Sequence, residues 1–189
     1  MMVSNKAESD IGYVRDLVKK SERRPTPTSI YLLWAGIVLF GFAMVDFFPR
    51  QTGYYWMIMG PLGGLVSGLL GRRDSESRGQ LNREIGIRHA LHWGALLVLT
   101  GFVIVLAVTD HIAGDEIGRV ILLIVTFGWW TAGVHFDRVF LWLGGLMALG
   151  FVGTLIFPIY VWTSLGVTLA IALTVIALRK GRSDVAETH

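Results

Sequence analysis

The sequence predicts an all-α, polytopic integral membrane protein: a six-helix bundle built from three helical hairpins, with a short N-terminal amphipathic helix. Three observations lead there. Long apolar runs recur, the clearest at residues 89–109, where 21 residues carry no charged side chain between Arg88 and Asp110. At 1.5 Å per residue such a helix crosses a hydrocarbon core of about 30 Å. A motif recurs inside the runs: Gly41-Phe42, Gly101-Phe102 and Gly150-Phe151 are each followed, eight positions after the glycine, by Pro49, Thr109 and Pro158. Trp93 and Trp142 precede their glycine by eight residues and Trp34 by seven, as expected of one hairpin unit used three times. Finally, 53% of the 189 residues are hydrophobic and 16% charged, too apolar for an ordinary water-soluble domain.

Residues 1–29 read as a cytoplasmic basic segment with no cleavable leader. Ile11, Val14, Leu17 and Val18 fall on one helical face, with Arg15, Asp16, Lys19 and Lys20 on the other. That pattern suits a helix lying along the inner headgroups, ended by Pro25 and Pro27. The membrane domain, residues 30–178, is predicted to hold spans at 30–48, 54–70, 89–109, 117–134, 139–157 and 160–178. Each is helical because hydrocarbon offers the backbone no partner but itself, and the runs are too long and too uniformly apolar for barrel strands. Short connections at 49–53 and 157–159 make consecutive spans antiparallel neighbours. Residues 179–189 form a second cytoplasmic tail.

Charge sets the orientation. Fifteen of the seventeen Lys and Arg fall before the first span, in the 72–88 loop, at Arg138 or after the sixth span; only Arg50 and Arg119 lie on the other side. By the positive-inside rule both termini and the 72–88 loop are cytoplasmic. Trp34, Trp93, Trp129, Trp130 and Trp142 then gather near the inner interface and Tyr54, Tyr55, Trp56, Tyr160 and Trp162 near the outer one, as aromatic belts do.

The most specific packing signal is in the second span. Gly60, Gly64 and Gly68 form one row of small residues, and Gly63, Ser67 and Gly71 a parallel row one position round. Such rows let another helix approach closely, within the monomer or at a dimer face; with Pro61 the span could also be a hinge or line a site for a small ligand. Pro61 removes the donor for the Met57 carbonyl and is expected to kink the helix.

Candidate ligand or coupling groups lie at both ends. His89 and His92 share a face of the third span, and His135 ends the fourth, so the three are expected to meet near Arg88, Asp137, Trp93 and Trp130. Imidazoles there serve as an interfacial anchor, pass protons or ligate a metal or haem. Asp46 is a carboxylate inside an apolar run, where a partner is expected, with Arg50 or Arg119 the candidates. The 110–116 loop reads as a solvated acidic loop without the spacing of a calcium site.

Several chemistries are excluded. The chain has no cysteine, hence no disulfide, thiolate metal site or thiol nucleophile. No phosphate-binding glycine loop, His-Glu-x-x-His or Gly-x-Ser-x-Gly motif occurs. The 72–88 loop mixes arginines with Asp74, Glu76 and Glu84 and lacks aromatics, which suits anionic lipid or a cytosolic partner and not nucleic acid. The expectation is therefore a membrane protein without enzymatic activity, catalytic residues, metal or cofactor. It would act as an accessory, scaffold or sensing subunit through helix–helix and lipid contacts, with anionic inner-leaflet lipid and a membrane-protein partner or second copy as its companions. The alternatives are a small-solute or ion transporter using Asp46 and the inner histidines, and a haem, pigment or quinone protein.

Overall fold

The computed structural model describes Gly12 and residues 26–77, 83–114, 116–157 and 159–186. The expected N-terminal amphipathic helix, Asp115, Pro158 and the middle of the 72–88 loop lie outside the described residues. Six helices make up the rest: α1 Thr28–Phe47, α2 Pro49–Ser77, α3 Arg83–Val108, α4 Ile117–His135, α5 Val139–Ile156 and α6 Val161–Ala186. No strand occurs among the described residues. All but α2 are long and apolar enough to cross a membrane. In α2 the uncharged stretch 54–71 is diluted by Tyr54, Tyr55, Trp56, Pro61 and five glycines, so the predicted second span is a helix but falls short of that measure.

Local chemistry places the helix ends. The expected connection at 49–53 does not exist as a loop: α2 begins at Pro49, leaving Phe48 as the whole turn. Proline suits the first helical position, where its ring supplies the required φ and its missing N–H would have had no partner. Phe48 closes α1 by donating its N–H to the Met44 carbonyl, and its own carbonyl accepts from Gln51 and Thr52. Pro61 lies within α2, which continues as one helix to Ser77. At the end of α3, Asp110 takes φ 58°. There the His111 N–H donates to the Leu106 carbonyl and the Asp110 N–H to that of Ala107, a Schellman cap with aspartate where glycine is usual.

Four helices build the core. Tyr31, Ala35, Val38 and Phe42 of α1 join Leu122 and Trp129 of α4, Leu143 and Met147 of α5, and Leu165, Leu169 and Leu173 of α6. The most extensive packing joins α1 to α6. α2 lies against α1 and α3 against α4, so these two helices flank the core and are little buried.

The Gly-Phe repeat acquires a physical meaning in two of its three copies. A Cβ on Gly41 would lie 2.3 Å from the ring of Trp56, and one on Gly150 would lie 2.4 Å from Leu165. In both, the glycine receives the residue fifteen positions later, across a short turn. At Gly101 nothing lies within 4 Å of that position, because the longer connection between α3 and α4 carries α4 out of that register. Phe42 is accordingly buried, whereas Phe102 is exposed.

Candidate functional site

Contacts bring five chain segments together at one end of the bundle. Gly71 of α2 lies beside Ile30 of α1, and Gly181 of α6 beside Thr28. Between α4 and α5 the chain turns through Phe136, Asp137 and Arg138, and Asp137 sits at the centre of a polar network. Its Oδ1 accepts from the Val139 N–H at 3.1 Å, helping to cap α5. Its Oδ2 accepts from the Lys180 ammonium at 2.5 Å and from the Tyr31 hydroxyl at 3.5 Å. Lys180 also donates to the Tyr31 oxygen at 3.1 Å and lies 5.0 Å from the ring centroid. Tyr31 is 2% exposed, and the Lys180 and Asp137 side chains 20% each. A long lysine at a helix end ordinarily extends toward water. Lys180, nearly two turns before the end of α6, instead meets Asp137 and Tyr31, and the network ties α1, the α4–α5 turn and α6 together.

An aromatic cluster continues from this network to α3. His89 stacks on Phe136 with centroids 3.8 Å apart, and His92 meets Phe136 and Trp93 edge-on. Trp93, Trp129 and Tyr31 all reach Phe140. His92 Nε2 is 3.0 Å from the Gly128 carbonyl, which only accepts, so Nε2 carries the proton. Leu96, one turn on, fills the space over Gly128. The structure thus joins His89, His92 and Trp93 through Phe136 and Phe140, residues to which sequence reasoning gave no role. Asp137 turns to Lys180. His135 is exposed, and Trp130 crosses to Gly144 of α5, where a Cβ would lie 2.5 Å from its ring. The described residues contain no group of three or more His, Asp or Glu able to hold a metal.

At the opposite end Asp46 has a different partner from either expected arginine. Its Oδ2 accepts from the Thr163 N–H at 2.7 Å and from the Thr163 hydroxyl at 2.6 Å. Thr163 is the third residue of α6, so Asp46 caps α6 from α1: a carboxylate at a helix N-terminus takes an otherwise orphaned donor and meets the positive end of the helix dipole. Arg119 instead pairs with Glu116 at 2.5 Å and donates to the Thr154 carbonyl of α5. Around Asp46, Phe42 packs on Trp56 and Trp162, and Phe47 on Tyr160. Asp46→Ala is expected to cost about 1 kcal/mol, a typical cap loss, with faster hydrogen exchange confined to the first turn of α6. Unchanged exchange at Thr163 would contradict the cap.

The small-residue rows of α2 separate. Gly63 sits under Trp34 and Ile37, and Ser67 accepts from Trp34 Nε1 at 3.0 Å, so that row is the α1 contact. Gly71 lies at its edge, 4.0 Å from Ile30. Around Gly60, Gly64 and Gly68 nothing lies within 4 Å of a built Cβ.

The fold and these sites define an all-helical protein, five of whose helices have the length and apolarity of membrane spans, consistent with a membrane protein. No family model, no curated protein sequence and no solved structure matches the chain.

Proposed function

We propose that the protein is a multi-pass integral membrane protein without enzymatic activity, an accessory, scaffold or sensing subunit that works by engaging another membrane protein or a second copy. In this reading α2 is a sixth span, the six helices form three hairpins, and both termini are cytoplasmic. The observation that carries it is the open row of Gly60, Gly64 and Gly68, beside exposed Met57 and Leu65. A span presenting small residues to lipid forgoes the close packing that such residues permit between helices. The polar side chains reinforce it: Asp46, His92, Arg119 and Asp137 are each engaged in holding one part of the bundle to another, whereas a transport pathway needs such groups to exchange partners.

A benzophenone amino acid at Leu65 is expected to crosslink a protein band in native membranes, and Gly64→Leu in the same chain to remove it. Lipid adducts alone from both Leu65 and Met57 would overturn the reading.

A further inference from the structure

The end of the bundle that gathers Thr28, Tyr31 and Asp137 also gathers cations from three helices and one turn. Arg73 lies two residues beyond Gly71, which neighbours Ile30. Arg88 precedes His89, which stacks on Phe136. Arg138 follows Asp137, and Arg182 lies two residues after Lys180, its partner. All four arginines are exposed, and none forms an ion pair with a described residue. Lys180 and Arg72 behave differently: Lys180 turns inward to Asp137, and Arg72 is held by Glu76 at 2.7 Å. At the Asp46 end the two arginines are Arg50 and Arg119, and Arg119 is taken by Glu116.

Resting on the membrane reading above, we propose that Arg73, Arg88, Arg138 and Arg182 form a collar that binds the phosphate groups of anionic phospholipids around the perimeter of this end. Guanidinium matches phosphate oxygens with paired N–H donors and is more weakly hydrated than an ammonium group. The four come from α2, α3, the α4–α5 turn and α6, so the collar faces the lipid on several sides of the bundle. One turn beyond Arg138, Trp142 is 83% exposed, placed for the interfacial layer between headgroups and acyl chains where tryptophan concentrates.

Tryptophan fluorescence of the full chain in phosphatidylcholine vesicles tests this, using brominated phosphatidylglycerol or brominated phosphatidylcholine as quencher at equal mole fraction. The brominated anionic lipid is expected to quench more strongly, with a preference that declines as salt rises. Each arginine changed to glutamine should lower the preference roughly fivefold at low salt. Arg→Lys at all four positions should retain most of it, and Arg50→Gln all of it. Equal quenching by the two lipids in the unaltered chain, or a preference that survives the fourfold glutamine variant, would overturn the collar. If neither lipid quenched, the membrane reading itself would fall.

Discussion

Asp137→Ala is expected to be among the most damaging single substitutions, costing about 3 kcal/mol of unfolding free energy. The change removes three interactions at once: the counter-ion of Lys180, an acceptor for Tyr31, and the cap on Val139 at the start of α5. It leaves an ammonium group 20% exposed, with the Tyr31 oxygen as its remaining partner in the network. Lys180→Met should cost less, about 2 kcal/mol, because Asp137 keeps the Val139 N–H and the Tyr31 hydroxyl. Asp137→Asn combined with Lys180→Met should recover much of the loss, since replacing a buried ion pair by neutral groups is often close to neutral while breaking it is not. The measurement is a double-mutant cycle built from Asp137→Asn, Lys180→Met and their combination on purified protein, with tryptophan fluorescence followed through detergent-induced unfolding. A cycle in which the effects simply add would show that Asp137 and Lys180 do not interact.

Gly133→Ala is the second, with an expected loss of about 2–3 kcal/mol. A Cβ there would lie 2.6 Å from the backbone nitrogen of Leu141 as well as from its side chain, and a backbone atom at the start of α5 cannot rotate aside. The α4–α5 turn is tight because Gly133 lets Leu141 close over it, and that turn carries Asp137. Gly60→Ala and Gly64→Ala are the contrast. With nothing within 4 Å, they should leave the isolated monomer unchanged or stabilise it by up to about 1 kcal/mol, as alanine is the better helix former. If Gly133→Ala and Gly64→Ala shifted monomer stability alike, the assignment of closed and open glycines would be wrong.

Much of the fold was legible in the chain because its signals are local. Apolar runs such as 89–109 and 139–157 announce helices by length and composition, and five helices have that character. The terminal proline of the first unit also marks a boundary, though as the first residue of α2 and not as part of a loop. The site was legible only in part. His89, His92 and Asp137 stand out in the sequence as polar groups at the edge of apolar runs, with Trp93 as an interfacial aromatic beside them, and the structure sets them in one neighbourhood. Their partners escaped notice. In the sequence Lys180 is one more cation after the last apolar run and Tyr31 one residue of a span, and nothing local relates positions 106 or 149 apart. Asp46 was recognised as needing a partner, yet the nearest opposite charges were the wrong guide. The donor it found is the first turn of α6, 117 residues away.

What the sequence determined by itself is which stretches are helical and apolar and where the cations fall, since hydropathy and charge are properties of each residue in place. Which face of each helix is covered was decided only by the tertiary structure. The Gly63 row and the Gly60 row differ by a fraction of a turn and carry nearly the same residues, so propensity and hydropathy treat them alike. Docking against α1 covers Gly63 and engages Ser67 while leaving the Gly60 row open, because Trp34 needs both the space over Gly63 and the hydroxyl of Ser67.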